Sequence, residues 1–175
     1  MKQLKHIIPA LLLLSLFTVT TDAQTKKNRK SSTKKPATIK TIPPLDVRTA
    51  REKVSIQLSN VEKFVDVLGP IAQGIESLDQ SAKTRRLTTA TLDQNEANKQ
   101  KVITAIRNLK VGLTDLETEF RTKTSLQKYL PKVQGITDLA AQSEDLAIAG
   151  KFVESKEPLR DAAQKLTDTL AVIPR

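Results

Sequence analysis

The chain has no cysteine and no tryptophan, and only one histidine (His6) and one methionine (Met1). Both of these fall in the first 23 residues, which have the layout of a cleavable export signal. Lys2 and Lys5 form a short basic start. An apolar run from Ile7 to Val19 follows, broken only by Pro9, Ser15 and Thr18, and Thr21 and Ala23 supply the small residues before a cut. The run is shorter than the roughly 20 apolar residues that a membrane-spanning helix needs. No cysteine follows it, so a lipoprotein anchor is excluded. Removing this segment leaves a chain with no imidazole, thiolate or thioether. A secreted or periplasmic location is therefore expected, without disulfides to support the fold. No N-x-[ST] triplet is present either, so there is no acceptor for N-glycosylation.

The lack of histidine and cysteine also narrows the chemistry. Di-iron sites in helical bundles need histidine beside glutamate, and zinc held by carboxylates alone is rare. No metal and no cofactor is expected. The chain has no G-x-S-x-G, no Walker-type loop and no dinucleotide fingerprint. Three S-x-x-K matches begin at Ser31, Ser32 and Ser125, but S-D-N and K-T-G are missing. The first two lie in a lysine-rich stretch, and Ser125 sits where a helix cap is expected. Glu117 with Glu119, and Glu144 with Asp145, are the closest carboxylate groupings. Neighbours one or two apart diverge on a helix, so they read as solvated surface. The expectation is a protein that is not an enzyme.

The formal charge is +10 and the isoelectric point near 9.9, but the excess is local. Between Gln24 and Pro44 there are seven basic residues (Lys26, Lys27, Arg29, Lys30, Lys34, Lys35 and Lys40) and no acidic one. From Leu45 onward, 20 basic residues face 18 acidic ones, which leaves that part close to neutral. Residues 24–44 are rich in Ser, Thr and Pro and poor in large apolar side chains. They read as a disordered linker, because they cannot bury enough surface to offset chain ordering. The seven cations are candidates for a tether to an anionic surface, such as lipid head groups or a cell-wall polymer. The stretch has no aromatic residue to stack on bases, which argues against sequence-specific nucleic-acid binding. The expected division is residues 1–23 as signal, 24–44 as basic linker and 45–175 as one helical domain. No membrane span remains once the signal is removed.

The apolar residues of the body recur at helical spacing. Val47, Val54, Val61, Leu68, Ile75 and Ala82 repeat every seven residues, and Ala50, Phe64, Ile71 and Leu78 fill the positions between, with Gln57 the exception. Gly69-Pro70 falls inside this run and predicts a kink. A second segment spans about Thr91 to Arg121, with Leu92, Ile106, Leu113 and Phe120 in one row and Val102, Leu109 and Leu116 in the other. Its seam fails at Asn95 and Lys99. Those two residues either form a polar layer lining a pocket or belong to an end that overhangs the bundle in water, and the all-polar turn favours overhang. A third segment runs from about Thr124, with capping-box spacing to Gln127, up to a left-handed cap at Gly150. A fourth carries Leu159, Ala163, Leu166, Leu170 and Ile173, its start marked by Ser155 and Pro158. No strand alternation is sustained. The fold class expected is all-α, an antiparallel up-and-down bundle of about four helices with a long, kinked first helix.

Leu146, Gly150, Phe152, Glu154 and Ser155 form L-x3-G-x-F-x-E-S, which resembles the turn inside a tetratricopeptide repeat. That resemblance implies a glycine turn plugged by an aromatic residue, and it stays local. Such repeats recur roughly every 34 residues, and no second copy is present. Phe64, Phe120, Tyr129 and Phe152 read as core pieces. The functional expectation is an exported helical bundle that binds a protein partner or an anionic envelope surface. The alternative is a small-ligand carrier or sensor with Asn95 and Lys99 as its polar wall.

Overall fold

The computed structural model describes residues 42–175. The signal segment and the seven tether cations lie outside the described residues. Helix α1 is Leu45–Thr84, α2 is Thr89–Thr122, α3 is the single turn Leu130–Val133, α4 is Ile136–Ile148 and α5 is Lys156–Val172. A 3₁₀ turn, Gln127–Tyr129, leads into α3. The described residues are all-helical, with four helices (α1, α2, α4 and α5) packed against one another. α1 packs on α2 and α5, and α4 on α2 and α5. No described helix is long and apolar enough to cross a membrane.

The seven-residue row on α1 is the core. Val47, Val54, Val61, Leu68 and Ile75 are all buried. Ala82 and Ile71 are exposed instead, and Ala72 is buried in Ile71's place. A helix of 3.6 residues per turn drifts by about 20° per heptad against a strict seven-residue repeat. By the fourth heptad the stripe has therefore moved by one position. The helix continues unbroken through Pro70, which is exposed. On α2, Ile106, Leu113 and Phe120 are buried, and Leu92 is exposed.

The third segment is not one helix. The chain turns at Gln134–Gly135, where Gly135 takes φ 89°, a left-handed conformation that glycine adopts without a Cβ penalty. The expected Thr124–Gln127 capping box is absent. The 3₁₀ turn there has no side-chain cap, and the Gln127 amide donates to the Arg121 carbonyl at 3.3 Å. Ser125 lies in the turn just before it. Gly150 closes α4 at φ 79°. Lys151 N–H donates to Leu146 O at 2.9 Å and Gly150 N–H to Ala147 O at 3.0 Å, the paired bonds of a Schellman cap.

Beyond that cap, Phe152 is buried. Ser155 precedes α5, but its hydroxyl does not cap the helix. It donates to Phe152 O at 2.7 Å, while the Ser143 hydroxyl donates to Ser155 O at 2.7 Å. Both serines are fully buried, so this chain of bonds fastens the α4–α5 turn to α4. At the other end of α5, Arg51 of α1 donates to Leu170 O at 2.7 Å and Ile173 O at 2.5 Å. A cation on the last carbonyls of a helix also opposes the helix dipole favourably. Leu45 and Arg48 share a surface depression there with Pro174 and Arg175, so the start of α1 lies beside the C-terminal residues.

Candidate functional site

Gln57 occupies a position where the α1 repeat calls for an apolar side chain, and Gly112 sits in the middle of the 34-residue α2. The structure brings the two together. A Cβ built on Gly112 would lie 2.7 Å from Gln57 Nε2 and 2.9 Å from Oε1. Gly112 is therefore the residue that admits the Gln57 amide between the helices. A mid-helix glycine costs about 0.5–1 kcal/mol relative to alanine, so this opening is held at some expense to helix stability.

The result is a cleft of about 330 Å³ between α1 and α2. Lys53, Ile56 and Gln57 line one side, and Gly112, Asp115, Leu116 and Glu119 the other. Lys53 and Gln57 are four apart on α1, and Asp115 and Glu119 are four apart on α2, so each pair shares a helix face. One end is closed electrostatically: Glu119 accepts from Lys53 and from Lys123, both at 2.7 Å. One turn before Glu119 on α2, Asp115 has no ion-pair partner among the described residues. The cleft can therefore offer an open carboxylate, an amide and an apolar wall to a ligand.

Of the four carboxylates that read as solvated surface, Asp145 is exposed, but the three glutamates are enclosed. Glu117 and Glu144 are buried, and the Glu119 side chain is nearly so. Glu117 leaves α2 to meet the start of α4, where Thr137 N–H donates to it at 3.2 Å and Arg121 Nη2 lies at 3.0 Å. Burial pushes its carboxyl up, but bonds from the Gly135 and Thr137 backbone, Thr137's side chain and the Arg121 charge outweigh burial and hold it below the usual carboxylate range. For Glu119, burial is likewise outweighed by the two lysines. The hydrogen bond from Lys110 and then that from Arg107, at 2.6 Å, hold the Glu144 carboxyl low against its burial. The partners on other helices are 66 residues away in sequence for Glu119 and 37 and 34 for Glu144, so local spacing gave no sign of them. Glu117 and Glu119 do diverge, toward α4 and α1 respectively. These groups fasten helices together.

Asn95 is only 4% exposed, so this turn of α2 packs on α1 rather than overhanging it. Its Nδ2 donates to Asp79 Oδ1 at 2.8 Å, and Lys99 Nζ reaches the same oxygen at 2.8 Å. Asn95 Oδ1 is buried without a hydrogen-bond partner among the described residues. Asp93, Gln94, Glu96 and Ala97 on the other faces are exposed. Neither Asn95 nor Lys99 lines the α1–α2 cleft. The described residues contain no group of three or more His, Cys, Asp or Glu side chains placed to hold a metal ion.

No protein-family model, no curated protein and no solved structure matches the chain.

Proposed function

We propose that the protein is an exported, non-enzymatic helical bundle that works by binding a protein partner. In this reading residues 24–44 hold it near an anionic envelope surface. The four helices run as an antiparallel up-and-down bundle, and α1 bends at Gly69-Pro70. Supporting this, α1 and α2 are joined by only the short stretch 85–88, and Pro70 removes one helix N–H.

The observation that carries the binding reading is on α1. Ile56, Val67 and Ile71 are 57%, 59% and 40% exposed. By helical spacing they fall within about 60° of one another around the axis, on the side of α1 that borders the cleft. Val67 and Ile71, one turn apart, form an exposed apolar pair on that face, and joined apolar side chains of this kind mark contact surfaces. The test is capture from envelope extract with the mature chain, with a form starting at Leu45, and with Val67→Ser/Ile71→Ser. A partner retained by the first two and lost with the third supports the reading, and capture of nothing by any form rejects it. Sedimentation with anionic vesicles tests the tether, and equal binding with and without residues 24–44 would sink it.

A small-ligand carrier is the second reading, favoured by the unpartnered Asn95 Oδ1. It expects a metabolite that raises the melting temperature of the wild type and not of Lys99→Ala. An unchanged rise removes these residues from the site.

A further inference from the structure

We propose that the end of the bundle where α1 begins is a docking surface for an anionic lipid bilayer. This rests on the reading of residues 24–44 as a tether, and it names lipid as the surface they hold. Ile42 and Leu45 are the two most exposed large apolar side chains among the described residues, at 75% and 69%. They closely follow Lys40, the last of the seven cations of that segment. Leu45, Arg48, Thr49 and Glu52 recur at helical spacing and share one face of the first two turns of α1. Pro174 and Arg175 border the same face, and Arg51 lies beside it. The charges there are unequal. Arg48, Arg51 and Arg175 meet one carboxylate side chain, Glu52, and counting the α-carboxylate of Arg175 still leaves the balance positive. Arg51 holds the carbonyls at the end of α5, while Arg48 and Arg175 make no ion pair among the described residues. Lys123 Nζ lies 3.7 Å from Asp46, which brings the end of α2 to this side of the body. The stretch after it, residues 124–137, carries Lys128 and Lys132, both exposed, and no acidic residue.

The aliphatic pair selects lipid over a soluble polyanion. Cations alone hold a polyanion, and exposed isoleucine and leucine add nothing to that. A bilayer takes aliphatic side chains into the boundary between headgroups and acyl chains while its phosphates meet the surrounding cations. The covalent link selects this end of the body over the other. A segment held at a surface keeps the residues joined to it at high effective concentration there, so Ile42 and Leu45 meet the surface that Lys40 meets. Arg85 and Arg86 at the far end of α1 are exposed too, but they lack that link.

The chain has no tryptophan, so Leu45→Trp, Val67→Trp and Leu92→Trp each give a single reporter. They sit at this end, on the flank of α1 and near the far end, and all three positions are exposed, which spares the core. Each mature chain is mixed with phosphatidylcholine vesicles, with vesicles that also contain phosphatidylglycerol, and with inorganic polyphosphate, and sedimentation is followed alongside emission. With the anionic vesicles, Leu45→Trp emission is expected to move to the blue and to be quenched by brominated acyl chains, with the other two reporters unmoved. Adding Arg48→Gln or Arg175→Gln to Leu45→Trp is expected to weaken vesicle binding about fivefold each. Sedimentation without a shift at Leu45→Trp overturns the proposal and leaves the tether standing, whereas no sedimentation removes both. A shift of Val67→Trp or Leu92→Trp instead overturns it by moving the contact to the flank or the far end. An equal shift with phosphatidylcholine alone, or unchanged affinity in both arginine variants, overturns it in favour of a purely apolar contact. A response to polyphosphate and not to vesicles overturns it in favour of a soluble polyanion.

Discussion

Replacing Gly112 with alanine sets two effects of similar size against each other. An alanine in a helix interior is favoured over glycine by about 0.5–1 kcal/mol, largely because it restricts the unfolded chain. Against this, the new Cβ would sit 2.7–3.1 Å from three atoms of the Gln57 amide. Those atoms end a flexible side chain with no hydrogen bond to another described group, so Gln57 can swing out at a cost of about 0.5–1.5 kcal/mol if it leaves a preferred rotamer. The expected net change is within about 1 kcal/mol of zero. Gly74 on α1 supplies the control, because nothing lies within 4 Å of its would-be Cβ. Gly74→Ala is expected to gain the full helix preference. Urea denaturation of Gly112→Ala, Gln57→Ala and the double variant closes a cycle. The double variant should recover the gain seen for Gly74→Ala, giving a coupling of about 0.5–1.5 kcal/mol. Zero coupling would mean that Gln57 does not occupy the space above Gly112. A loss beyond about 2 kcal/mol in Gly112→Ala alone would point to backbone contact there and refute the reasoning.

Three further outcomes follow from the same geometry. Ser143→Ala strips the buried Ser155 carbonyl of its donor and is expected to lower stability by about 1–2 kcal/mol, read as a shift of the urea midpoint; an unmoved midpoint contradicts the bond. The lowered carboxyl pKa values of Glu117, Glu119 and Glu144 mean that their stabilisation is complete above the ordinary carboxylate range, near pH 4.5, and is lost as pH falls through the lower folded-state values. Urea midpoints at pH 7 and pH 3 should therefore differ less in Glu144→Gln than in the wild type, and an identical difference rejects Glu144's share. Brief trypsin treatment is expected to make its first cut within the body after Arg85 or Arg86, where the chain is exposed and Arg85 is extended. Mass spectrometry showing earlier cuts inside α2 or α4 would contradict that.

The long helices were legible because one row of valine, leucine and isoleucine recurs at a fixed interval along α1. The row failed where arithmetic says it must: Ile71 yields to Ala72 because 3.6 and 3.5 residues per turn diverge over several heptads. Gly135 was hidden for a different reason. The run Val133-Gln134-Gly135-Ile136 keeps apolar spacing, and only the backbone angle distinguishes a turn from a helix interior. The divergence of neighbouring carboxylates on a helix says nothing of their other partners, and only Arg121 and Lys123 lie at i,i+4 on the same helix. The remaining partners are side chains and an N–H group of other helices, which no periodicity encodes. Gln57 was visible as a break in the seam, but without Gly112 opposite it nothing marked it as the edge of a cleft.

Arg51's grip on the end of α5 brings the entry to α1 and the final residues of the chain to one pole of the body. A fluorophore attached after Arg175 would therefore sit beside the attachment point of any upstream anchor. One placed at the Arg86–Leu87 connection would ride at the opposite tip of α1, about 60 Å along a 40-residue helix. The heights of the two labels above a membrane or wall surface would then show whether the body stands out from that surface or lies along it. Standing would turn the cleft outward toward soluble partners, and lying flat would turn it toward neighbours in the same layer.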